Sequence, residues 1–224
     1  MEQPRRWHDL CLAMLAAVLL AACSNDNYEA GDGRYSYLTS DFVEAFSASP
    51  GSIARAVTDA DEQLQFSAAI AAQWATKTDS VYRALLYYNK VGTEAEPVSI
   101  VRVPVLQPVM ASEAGAIHTD PLEFVSAWVG KNRKYLNIGL GLKTGKQEEA
   151  DNKQQVGVVT DAVYTHADGT QEVHCRLTHS QNGVPEYYTS NVYVSIPLQV
   201  WPAGTQIYLS IATYKGTVTK RFSK

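Results

Sequence analysis

Short apolar segments with a period of two residues, separated by turn dipeptides, fill the second half of the chain and restrict it to β structure. Leu136, Ile138, Leu140 and Leu142 alternate with Asn137, Gly139 and Gly141, which gives one apolar face and one bare face. Val192, Val194, Ile196 and Leu198 alternate in the same way, as do Ile207, Leu209 and Ile211. Asp168-Gly169 and Asn182-Gly183 supply the positive φ angles of tight turns, and Lys215-Gly216 leads into a last strand near 217–222. Repeated short strands at this spacing predict an antiparallel β-sandwich over 121–224 rather than a βαβ sheet.

The first half carries weaker strand signals. Residues 34–39 and 42–46 read as one bent strand, and 53–57 and 64–66 as further ones. Val81–Asn89 is apolar on both faces, with Val81, Leu85 and Tyr87 against Tyr82, Ala84, Leu86 and Tyr88, the pattern of a strand covered on both sides. Val98–Leu106 alternates through Val101, Val103 and Val105, and Pro104 demotes its end to an edge or a bulge. Ser67–Thr76 suits helix or strand equally: its alanines favour helix, with Ile70 and Trp74 one turn apart. The composition change at 111–120 is expected to be a linker between a small β domain over 34–110 and the sandwich.

The N-terminus is expected to be removed. Arg5 and Arg6 precede an apolar run from Leu10 to Ala22, too short to span a bilayer and ending in small residues, as in a signal peptide over 1–22. Leu20-Ala21-Ala22-Cys23 resembles the lipobox of bacterial lipoproteins, in which the cysteine is acylated and becomes the first residue. Lipid on Cys23 would hold the chain to a membrane, with residues 23–33 as a polar tether. Acidic residues after Cys23 resemble the surface-export signals of Bacteroidota lipoproteins, so an outer-membrane location is expected. Of three cysteines, Cys11 lies in the signal and Cys23 carries lipid, leaving Cys175 without an intrachain disulfide partner.

A formal net charge of −4 provides no basic footprint for phosphates, so no nucleic-acid partner is expected. His174, Cys175 and His179 are zinc-ligand types, but on one strand His174 and Cys175 point to opposite faces. Cys175 is in phase with Val173 and Leu177 and reads as a small buried hydrophobe. Glu148, Glu149 and Asp151 interleave with lysines between two strands and read as a solvated hairpin loop rather than an acid–base pair. Gly139-Leu140-Gly141 lacks the strand–helix context of a dinucleotide site. No catalytic residue, metal or cofactor is expected. The remaining candidates for ligand contact are the aromatics Trp74, Tyr135, Tyr187 and Tyr188, near loops or strand starts, with Trp128 and Trp201 assigned to the core.

The order of features, together with Ser80–Tyr88, Lys134–Ile138, Val173–His179 and Tyr193–Ile196, resembles the NigD-like proteins of Bacteroidota. That resemblance implies a small OB-type barrel followed by a β-sandwich, and through the family's namesake it suggests bacteriocin immunity. The functional expectation is a non-enzymatic binding module in the cell envelope whose partner is a protein, a toxin or a glycan. Bacteriocin immunity is the first alternative and a surface glycan hydrolase the second.

Overall fold

The computed structural model describes residues 38–91, 94–146 and 152–224. Cys23, the signal and tether, residues 34–37, and Glu148, Glu149 and Asp151 lie outside the described residues. No α-helix occurs among the described residues.

Five strands form a closed barrel: β1 (Thr39–Ser49), β2 (Ser52–Thr58), β3 (Gln63–Ala71), β4 (Val81–Val91) and β5 (Glu94–Arg102). Their order is β1-β2-β3-β5-β4, with β4 returning to pair antiparallel with β1 and β3 touching β5 in parallel at Phe66 and Ala95. This is the five-stranded Greek-key barrel of the OB type. Tyr82, Ala84, Leu86 and Tyr88 of β4 face the barrel interior, while Arg83 and Leu85 are buried on its outside. Both faces of β4 are therefore covered, as its double apolar pattern implies.

Ser67–Ala71 is strand and 72–76 is turn, which resolves the balanced helix-or-strand reading. β3 pairs with β2 at Ser52 with Ala71 and Ile53 with Ile70. Gly51, at φ 78°, accepts from Ala72 and donates to Ala75, both at 2.7 Å. These tertiary hydrogen bonds satisfy the backbone that a short alanine helix would leave frayed at both ends.

The second half forms two sheets. One has the order β13-β12-β10-β9-β6 and the other β11-β8-β7. The strands are β6 (Val109–Met110), β7 (Glu123–Val129), β8 (Tyr135–Thr144), β9 (Gln155–Thr165), β10 (Gln171–Ser180), β11 (Tyr188–Pro197), β12 (Gln206–Thr213) and β13 (Gly216–Ser223). Asp168-Gly169 closes the β9–β10 hairpin and Lys215-Gly216 the β12–β13 hairpin. Asn182-Gly183 instead carries the chain from one sheet to the other, and β8 and β9 likewise belong to different sheets and do not pair, so neither pair of strands is a hairpin. Most pairs are antiparallel, and β10–β12 and β6–β9 are parallel.

Leu136, Ile138 and Leu140 of β8 meet Val173, Cys175 and Leu177 of β10 and Ile207, Leu209 and Ile211 of β12 in one aliphatic core. Beyond Arg102 the chain runs straight into this half. Val105 bridges Ser195, Val109–Met110 pair with β9, and Thr119 bridges His179.

Candidate functional site

Two loops and three strands meet where the barrel touches the sandwich. Arg83, on the outside of β4, donates from Nη2 to Asp59 Oδ2 at 2.6 Å and to Asn137 Oδ1 at 2.9 Å, and from Nε to Ser195 Oγ at 3.3 Å. Asn137 Nδ2 also donates to Asp59 at 2.8 Å, and Ser195 Oγ donates to Asn137 at 2.7 Å. Arg83 is almost fully buried, and such a charge persists only when paired and hydrogen-bonded. Asn137 and Ser195 belong to the polar faces of β8 and β11, so these otherwise bare faces are what receive the barrel. Gly130 makes the approach feasible, since a Cβ there would lie 2.7 Å from Asp59 Oδ2.

Beside this cluster Glu44 of β1 reaches across to the other half. It accepts from Lys134 Nζ at 2.9 Å and from the Tyr135 hydroxyl at 3.1 Å. The Tyr135 ring lies under the Arg83 guanidinium, 4.2 Å from its carbon. Burial, followed by the charge and hydrogen bond of Glu44, pushes the Tyr135 phenol up to about 12, against a smaller opposing effect of Arg83. The Glu44 hydrogen bond raises Lys134 above the ordinary lysine value.

Outward from the cluster the seam opens into a cleft of about 390 Å³ lined by Asp41, Phe42, Tyr87, Trp128, Lys131 and Tyr193, among others. Phe42 comes from the barrel, and Trp128 and Tyr193 from the sandwich. The Phe42 ring stands edge-on to both, with centroids 5.3 Å apart in each case, and Trp128 and Tyr193 are 6.3 Å apart. Tyr193 lies over Gly139, where a Cβ would come within 3.1 Å of the ring. Trp128 and Tyr193 each remain 37% exposed. Fixed aromatic faces in an open cleft of this size can stack on a planar or apolar group of a ligand. The serine hydroxyl of the cluster is turned away from such a ligand, since Ser195 is fully buried.

The four aromatics expected to contact ligand are not brought together. Trp74 packs half-buried on the barrel core, edge-on to Tyr82 at 5.6 Å. Tyr135 is half-buried in the seam, against Glu44 and Arg83. Tyr187 and Tyr188 stand 75% and 54% exposed at the start of β11, with the Tyr187 ring over Gly145. Trp201 is buried as expected, but Trp128, expected in the core, faces the cleft because its neighbours Ala127 and Val129 take the inward positions of β7. A signal for the cleft was present in the sequence. Tyr193 and Trp128 are out of phase with the apolar sets of their own strands, and Gly139 marks where a large ring lies close to the backbone.

His174 and Cys175 do face opposite ways. Cys175 is buried among the aliphatics of the sandwich, and burial pushes its thiol up to about 11. His174 stacks on Tyr208 at 4.9 Å and bonds to Glu172 at 2.6 Å. His179 sits between the Asp120 carbonyl and the Gln154 side chain, both at 3.0 Å.

Residues 105–223 match the model of the NigD-like C-terminal beta sandwich domain, which is more than half of the chain. The chain belongs to the NigD-like family. A solved NigD-like immunity protein from Bacteroides caccae is 24% identical, with a TM-score of 0.65 over 83% of this chain and 96% of that one. A protein of unknown function from Bacteroides vulgatus is 16% identical, with a TM-score of 0.61 over 84% and 90%. A candidate lipoprotein from Bacteroides fragilis is 11% identical, with a TM-score of 0.56 over 83% and 96%. These structures share the fold of this NigD-like chain. No curated protein matches it.

Proposed function

We propose that this NigD-like protein is a non-enzymatic binding module of the cell envelope, held to a membrane by lipid on Cys23, and that it recognises its partner with the aromatic cleft at the barrel–sandwich seam. The observation that carries this reading is the convergence of Phe42, Trp128 and Tyr193 from both halves onto one open cleft. Fixed rings with part of each face exposed are the kind of anchor on which binding energy concentrates. The lipobox at Cys23 supports the location, with the outer membrane as the expected one, and the similar Bacteroides fragilis protein is itself named a candidate lipoprotein. The partner is an envelope protein or a glycan.

The test is crosslinking and affinity capture from intact cells. The wild-type chain is expected to recover a defined partner. Cys23→Ala is expected to lose it, and Trp128→Ala with Tyr193→Ala to weaken capture about tenfold or more. Undiminished capture by the double variant would remove the cleft from the proposal.

A second reading is bacteriocin immunity, in which the cleft captures a toxin or masks its target. It is favoured by the family and by the name of the similar Bacteroides caccae protein. Unchanged sensitivity to sibling strains' toxins after deletion of the gene would sink it.

A further inference from the structure

The exposed sheet edges of the sandwich are not alike. Those at β6, β7 and β13 carry the features that keep strands from pairing with strangers. β6 is two residues long, β7 has a register shift between Phe124 and Ser126, and β13 carries Lys220 and Arg221. β11 has none of these from Tyr188 to Val194: no charge, no proline and no register shift against β8.

The direction of its backbone groups follows from one contact. Ser195 N–H donates to Pro104 and Ser195 C=O accepts from Leu106, so the polar groups of Ser195 point away from β8. In a regular ladder every second residue points the same way. Tyr193, Asn191 and Thr189 therefore present their N–H and C=O to the same outer edge, about 14 Å of it at 3.4 Å per residue. Among the described residues no strand pairs with this half of β11 on that side.

A groove of about 420 Å³ follows this edge, lined by Leu106, Leu142, Val156, Val192 and Val194 among others. Leu142, Val156 and Val192 are only half-buried, so the sandwich core is open here. Among the described residues Arg102 is the only charged side chain lining the groove, and the rest of that lining is mostly apolar.

We propose that the free half of the β11 edge takes up an extended segment of a partner polypeptide as an added strand, with apolar side chains at alternate positions covering Val156 and Val192. The chain already uses this edge in this way, because its own Val105 pairs in parallel with Ser195 immediately beyond the free half. An incoming segment extends an interface that the fold has begun, with main-chain hydrogen bonds for affinity and alternate pockets for selection. The inference rests on the binding reading above and names the class of partner and its mode of contact.

The test pans a random dodecapeptide library, displayed on phage, against the immobilised full-length protein, and measures synthetic copies of the enriched peptides by fluorescence anisotropy. The expected peptides alternate apolar residues. Asn191→Pro removes one outward N–H that the β8 ladder does not use and is expected to weaken them tenfold or more, while Asn191→Ala, which keeps that N–H, restores binding. If Asn191→Pro lowers the thermal midpoint, peptides N-methylated at alternate amides make the same test on the intact protein: methylation in one register abolishes binding and in the other leaves it. Equal affinity for Asn191→Pro and wild type, or indifference to methylation in both registers, overturns strand addition. Failure to enrich any peptide also overturns it, and leaves the cleft to the capture experiment on cells, which uses no peptide.

Discussion

The barrel and the sandwich solve the same β problem with different side chains. Half of the buried barrel cluster is alanine, at positions 45, 56, 72, 75, 84 and 95, whereas the sandwich cluster contains none and is built from Leu, Ile and Val with Cys175 and Trp201. A five-stranded closed barrel has a narrow interior, so side chains that would fill a sandwich overfill it. Closure also pairs every barrel strand on both sides, whereas the two sandwich sheets end in edges. The barrel therefore contributes rigidity and one wall of the cleft, and the sandwich keeps the edges at which another chain can pair.

The sharpest way to break this comparison is to separate the halves. Arg83→Met leaves the buried Asn137 and the partly exposed Asp59 without their cation. Because the loss of one partner of a fully buried pair costs about 3–5 kcal/mol, the cost here should lie towards or below the lower end of that range. The expected outcome in urea is two unfolding transitions in place of one, and adding Asp59→Asn should restore part of the loss by removing the orphaned charge. An unshifted single transition would show that apolar contact, not this cluster, joins the halves.

Core substitutions of opposite sense sharpen the contrast. Leu209→Ala in the sandwich opens a cavity among fully buried neighbours and should cost about 2–5 kcal/mol in chemical denaturation. Ala84→Leu in the barrel overfills the space beside Val43 and should cost about 1–3 kcal/mol, visible as a lower thermal midpoint. If Ala84→Leu were neutral, the alanines would reflect history rather than the width of the barrel.

The sandwich was the more legible half because its strands bury one face and alternate cleanly, as at Leu136–Leu142. The barrel was harder: β3 runs through alanines whose local preference is helical, and only pairing with β2 decides the outcome. Val81–Asn89 was readable as doubly covered, but its second cover is the sandwich, a contact that no local pattern specifies. The site suffered most. Arg83 and Asn137 are 54 residues apart and Arg83 and Ser195 112 apart, so nothing in either neighbourhood reveals the cluster. Trp128 looked like core by residue type, although its phase against Ala127 and Val129 pointed outward.

The smallest expected effect isolates the seam without breaking it. Tyr135 keeps its proton to about 12 in the folded chain because it is buried and donates to Glu44, whereas an unfolded tyrosine ionises near 10. Below pH 10 both states hold the proton, and this group adds no pH dependence. Between 10 and about 12 the unfolded chain has lost the proton and the folded chain has not, so stability falls as pH rises through that window. Tyr88, raised by burial and by Asp41, contributes in the same direction from inside the barrel. The informative quantity is therefore the difference between wild type and Tyr135→Phe, measured by urea denaturation at steps from pH 8 to 12. The variant should be less stable than wild type by a roughly constant amount up to pH 10, and the gap should then close. A gap that stays constant to pH 12 would mean that the phenol ionises as freely in the seam as in water, and that the barrel and sandwich do not exclude solvent there.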